Sequence, residues 1–76
     1  MKIKIYSTEW CVYCKLVKDF LKEHKIAFEE VDVGKDENAA MEMVIKSGQE
    51  GVPVIEIGDE IVIGFDKEKL KKLLGI

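Results

Sequence analysis

The chain has no arginine: all twelve of its cationic side chains are lysine, set against fifteen acids for a net charge of −3. No planar, bidentate group is on offer for phosphates or base edges, so nucleic-acid binding has no support. Long apolar runs are missing as well, and no membrane span or membrane partner is expected. The first residues, Met1-Lys2-Ile3-Lys4-Ile5, alternate where a secretory leader would carry an apolar block, which points to the cytoplasm. Histidine occurs once, at His24, and cysteine twice, too few soft donors to close a four-ligand metal site within one chain. Asparagine and glutamine occur once each while 36% of residues are charged, a balance that leans toward a heat-adapted source.

What is present suffices for one core. With 76 residues and 47% hydrophobic content, the chain sits near the lower size at which a domain holds together without staples. No linker, repeat or low-complexity segment interrupts it, so a single domain over residues 1–76 and a monomer are expected.

The hydrophobic pattern orders the elements. Lys2 to Tyr6 alternates with Ile3 and Ile5 on one face, the period of a half-buried strand. From Val12, residues Leu16, Val17, Phe20 and Leu21 recur at helical spacing, predicting an amphipathic helix that ends near Lys25. His24 and Lys25 in its last turn suit the negative end of the helix dipole. Ile26 to Val33 alternates again and Gly34 breaks it, a second strand. Asp36 can cap a helix running through Ala39, Ala40, Met43, Val44 and Ile45 to Ser47-Gly48, with Met43 and Val44 expected in the core and Met41 nearer the edge. Pro53 to Ile57 and Glu60 to Ile63 flank Gly58-Asp59, a hairpin signal. After Gly64, Asp66 can cap a last helix whose Leu70, Leu73 and Leu74 face inward. The order β-α-β-α-β-β-α implies an α/β fold: one four-stranded mixed sheet with three helices on its faces.

Chemistry concentrates at Trp10-Cys11-Val12-Tyr13-Cys14, which sets both cysteines three residues apart between the first strand and the first helix. Two thiols at the first turn of a helix can close a small disulfide ring, and the positive helix end favours the thiolate of Cys11. Cys11 then reads as the nucleophile that attacks a substrate disulfide, and Cys14, one turn inside, as the thiol that resolves the mixed disulfide. Lys15 adds local positive potential and Glu9 subtracts some. In a reducing compartment such a pair is expected to cycle and not to stay closed as a structural staple. No cofactor is required and no metal is expected within one chain. A metal or iron–sulfur cluster shared between two chains, taking two thiols from each, stays open as an alternative, as does burial of a thiol as a small apolar side chain.

Together these features resemble the glutaredoxins, the minimal form of the thioredoxin-fold superfamily, over essentially the whole chain. Cys11-Val12-Tyr13-Cys14 is similar to the family's Cys-Pro-Tyr-Cys with valine for proline, and Gly51-Val52-Pro53 to its Thr-Val-Pro, in which the Val–Pro bond is cis. Gly64-Phe65-Asp66 matches in position the glycine-acid turn that opens the last helix. The resemblance implies a thiol–disulfide oxidoreductase acting on protein disulfides or glutathione mixed disulfides. It also implies an exposed apolar rim of Trp10, Tyr13, Val52, Pro53 and Phe65 around the cysteines, with the Val52 backbone free to pair with an extended substrate. Two departures bear on the electron donor: Thr8 stands where glutathione-dependent members carry lysine, and Asp66 stands alone where they carry paired acids. Gly64-Phe65 also resembles the Gly-Phe of small redoxins that serve ribonucleotide reductase and accept electrons from thioredoxin reductase. Glutathione as co-substrate and a thioredoxin-reductase-type flavoprotein are both expected candidates. Losing proline at Val12 frees the ring, so a more reducing poise is expected than the roughly −200 to −230 mV of glutaredoxins, toward or beyond the approximately −270 mV of thioredoxin.

Overall fold

The computed structural model describes residues 2–76, and Met1 of the alternating N-terminal run lies outside the described residues. Strand β1 (Ile3–Ser7) is followed by α1 (Val12–Glu23), β2 (Glu29–Asp32), α2 (Glu37–Ser47), β3 (Val54–Ile57), β4 (Glu60–Ile63) and α3 (Lys67–Leu74). The four strands form one sheet in the order β2-β1-β3-β4. The β1-α1-β2 unit makes β1 and β2 parallel, while β3 runs antiparallel to both β1 and β4. This is the mixed sheet the element order implies.

Each face of the sheet carries its own apolar layer. On one side Ile3, Ile5, Ile55 and Val62 pack against Val17, Phe20 and Leu21 of α1 and Leu70 of α3. On the other, Tyr6 and Val54 meet Ala39 and Met43 of α2. Because β1 lies inside the sheet and is covered on both faces, Tyr6 and Ser7 are buried along with Ile3 and Ile5, and the half-buried strand expected from alternation is corrected.

Helix ends follow capping chemistry. Asp36 Oδ1 accepts the Ala39 N–H at 3.1 Å and Gly48, at φ 73°, closes α2. Asp66 Oδ1 accepts the Lys69 N–H at 3.1 Å and opens α3. Helix α1 ends at Glu23, two residues before the expected Lys25, which instead sits at φ 59° in the left-handed region. The Lys25 N–H donates to Lys22 O and the Ile26 N–H to Leu21 O, the crossed bonds of a Schellman end built without glycine.

Three other expectations change. Strand β2 is Glu29–Asp32 and not residues 26–33, because the Ile26 backbone is engaged in closing α1 while Ile26 and Phe28 lean on the α1-side core. Strand β3 begins at Val54, since Pro53 has no N–H for the ladder. Leu16, Val44 and Ile45 are exposed: each short helix has a narrow contact with the sheet, and Val17 or Met43 occupies it. Among the described residues, no helix is long and apolar enough to cross a membrane.

Candidate redox-active site

Strand β1 delivers the chain through Thr8-Glu9-Trp10 to Cys11, which is the N-cap of α1. Its extended backbone leaves Sγ pointing along the first turn, where it accepts the Cys14 N–H at 3.0 Å. A cysteine sulfur thus does the work that serine or aspartate does at other helix starts, and negative charge on it faces the positive helix end. Cys14 lies one turn inside and is fully buried. Burial, and after it the neighbouring Cys11 sulfur, pushes the Cys14 thiol up to about 12. Both cysteines are free thiols, so the structure shows the dithiol form. The pair is chemically unequal: Cys11 opens on a cleft of about 390 Å³, whereas Cys14 is sealed and holds its proton.

Cations and acids share that cleft. Lys15 and Lys18 reach it from α1 and Glu30 from β2. Glu9, expected to work against the thiolate, pairs with Lys35 at 2.5 Å, which partly offsets its charge. Lys18 Nζ donates to Glu30 Oε2 at 2.6 Å, and this ion pair holds the Glu30 carboxyl below its ordinary range.

The remaining residues singled out from sequence fall into two groups. Trp10, Val12 and Tyr13 are exposed, Trp10 at 86%, and form an apolar lip beside Cys11 in the chain. Val52, Pro53 and Phe65 do not belong to such an exposed rim. Pro53 is buried, Val52 is half-buried against the Tyr6–Met43 layer, and Phe65 turns inward to meet Phe20 edge-on with ring centroids 6.0 Å apart. These apolar groups gain more by filling the sheet's two layers than by facing water. The Val52–Pro53 bond is cis, as the resemblance implied. Gly64, at φ 78°, donates its N–H to Pro53 O at 2.8 Å, which ties the turn before α3 to the proline loop. Asp66 spends its carboxylate on capping α3. His24 packs its ring on Phe20, centroids 4.6 Å apart.

Two sets of residues escaped sequence reasoning. Gln49 clamps Gly51 from both sides, its Oε1 accepting the Gly51 N–H at 2.7 Å and its Nε2 donating to Gly51 O at 2.9 Å. A Cβ on Gly51 would lie 2.8 Å from Gln49 Oε1, which accounts for glycine at this step of the loop. Ser7, Lys18 and Glu30 form the other set, bonded across three elements. A polar residue at the buried end of β1 was the only hint of it.

An accessible thiol capping a helix, a buried partner one turn on, and this strand order define a dithiol redoxin of the thioredoxin fold. Residues 3–62 match the glutaredoxin family. The chain is 46% identical over 72 residues to an uncharacterized glutaredoxin-like 8.6 kDa protein in the rubredoxin operon of Clostridium pasteurianum, covering 95% of this chain and 96% of that one. It is 38% identical to the glutaredoxin-like protein NrdH of Lactococcus lactis, covering 93% and 97% of the two chains. Among solved structures, a mutant of the thioredoxin-like protein BC3987 superposes with a TM-score of 0.93 at 40% identity, covering 99% and 96% of the chains. The glutaredoxin-like NrdH-redoxin of Escherichia coli, described as having a thioredoxin-like activity profile, superposes with 0.85 at 29% identity, covering 96% and 95%. The chain belongs to the glutaredoxin family, whose members are thiol oxidoreductases.

Proposed function

We propose that the chain is a dithiol electron carrier that reduces protein disulfides and is itself reduced by a thioredoxin-reductase-type flavoprotein. The observation that carries the dithiol mechanism is the inequality of the two thiols: Cys11 caps a helix and opens on a cleft, and Cys14 is buried with its thiol pushed up to about 12. Attack by Cys11 on a substrate disulfide leaves a mixed disulfide, and attack by Cys14 on Cys11 releases the reduced substrate. Trp10, Val12 and Tyr13 are the side chains a partner would cover on docking, and the Val52 backbone is the strand-like segment an extended substrate would pair with.

Two features favour the flavoprotein over glutathione. Thr8 offers no cation where glutathione-dependent relatives place lysine, and Asp66 is engaged in its cap. Similarity to NrdH proteins, one of them with a thioredoxin-like activity profile, supports the same choice. Valine at position 12 favours a poise more reducing than that of proline-bearing relatives.

The test uses the oxidised protein, offered either NADPH with a thioredoxin reductase or glutathione at millimolar concentration, with thiols counted by alkylation and intact mass. Fast reduction by the flavoprotein and slow reduction by glutathione are expected. In parallel, Cys14→Ser should accumulate a mixed disulfide at Cys11 with a model protein disulfide. Reduction by glutathione alone would reverse the donor assignment. Cysteines that never close a disulfide, in a coloured or metal-loaded protein, would replace the carrier with a module holding metal or cluster between two chains.

A further inference from the structure

Lys18 follows Cys14 by four residues, one turn along the same side of α1. Its ammonium is drawn to Glu30, whose Oε2 also accepts the hydroxyl of buried Ser7 at 3.0 Å. Glu30 is fixed in turn by β2, which pairs Glu30 with Ile5 of the central strand. The carboxylate is therefore anchored from the sheet, and it holds Lys18 against the wall of the cleft on which Cys11 opens. With side chains 25% and 43% exposed, such an ion pair adds little to stability, so its placement on the wall of the Cys11 cleft calls for another account.

We propose that Lys18, held by Glu30, is a positioning residue for the resolving step, supplying the positive potential under which Cys14 gives up its proton. This rests on the dithiol-carrier reading. The charged groups around it are Lys15, Asp19 and Lys22 along α1, Glu9 from the preceding loop, and Glu30 and Asp32 from β2. Against burial, the backbone of Thr8 and then the charge of Lys18 draw the Cys14 thiol down, and Cys14 in return raises Lys18.

The need arises within the catalytic cycle. Once Cys11 is bonded to a substrate sulfur, Cys14 must become a thiolate in a site that burial makes hostile to charge. Its S–H bond breaks, its sulfur attacks Cys11 Sγ, and the bond from Cys11 to the substrate sulfur breaks. The departing substrate thiolate takes up the proton through the cleft. Cys11 and Cys14 end as a disulfide, having given two electrons to the substrate, and no other reactant is needed.

The experiment mixes reduced protein with hydroxyethyl disulfide, quenches in acid at intervals and follows the Cys11 adduct by intact mass from pH 6 to 9. For Lys18→Gln the adduct should form at the wild-type rate but resolve about fivefold more slowly, with the pH profile of resolution displaced to the alkaline side. Lys18→Arg, which keeps the charge, should restore both. If Lys18→Gln does not fold, Lys18→Met, which removes the charge and keeps the apolar stem, takes its place and should slow resolution with the same displacement. Normal adduct formation with unchanged resolution and pH profile in Lys18→Gln, or in Lys18→Met when it stands in, would overturn the role of Lys18 alone. So would failure of Lys18→Arg to rescue. Wild-type protein that forms neither an adduct at Cys11 nor a Cys11–Cys14 disulfide would overturn the carrier reading and this proposal with it.

Discussion

The Cys14 thiol, pushed up to about 12 chiefly by burial, holds its proton in the folded chain well after an exposed thiol would have lost it. Its folded value lies above the ordinary 9.0 of an unfolded chain, so it contributes stability that is whole below pH 9 and is lost as pH climbs toward 12. Urea unfolding of the reduced protein between pH 8 and 10.5 should therefore show a loss of stability equivalent to one proton per molecule. Cys14→Ser should lack it, and parallel curves for the two proteins would refute the assignment. At this scale the sequence is legible where function is local. The cysteines and the caps Asp36 and Asp66 announce themselves by spacing alone. Lys18 and Glu30 do not, because twelve residues and a strand crossover separate them and only the folded topology brings them together.

Helices were the elements most open to sequence reading, since a cap at one end and a glycine at the other mark α2 and α3. The end of α1 carries no such mark, because its left-handed residue is Lys25 and not glycine. That choice carries a cost: Lys25→Gly should stabilise the protein by about 0.5–1 kcal/mol, the left-handed strain relieved less the added freedom of glycine when unfolded. Chemical denaturation measures this directly, and a destabilised variant would show that the lysine side chain makes compensating contacts. The extent of β2 was illegible for a related reason. Alternation marks residues that can lie in a strand, but the Ile26 backbone was claimed by the end of the preceding helix. Leu16, Val44 and Ile45 show the same limit, because periodicity counts apolar positions and only packing decides how many a short helix can bury.

Across the molecule, the order of elements was enough to imply the mixed sheet, because a right-handed βαβ crossover and a tight hairpin leave few arrangements. Which faces would be covered was not readable, and Tyr6 shows why. It breaks the pattern of a one-sided strand, yet it is buried under α2 with its hydroxyl donating to Glu42 at 2.9 Å. Glu42 also accepts from Lys46, which bonds Glu56 of β3, so a single carboxylate ties α2 to β1 directly and to β3 through Lys46. Lys46 first, then Tyr6 and Lys4, hold the Glu42 carboxyl at about 2. This contribution to stability is present above the ordinary 4.5 and lost as pH falls through about 2. Glu42→Gln should accordingly be less stable than the wild type at neutral pH, with the difference shrinking in acid unfolding as pH approaches 2. A difference independent of pH would argue for lost packing instead. The helix cap made by Cys11 has a consequence at this scale too. Forming a disulfide changes that capping sulfur from a free to a bonded one, so folding equilibrium and electron affinity become two legs of one thermodynamic square. The gap between the melting curves of the oxidised and reduced protein is the same free energy that an electrode would read as the difference in disulfide potential between folded and unfolded chain.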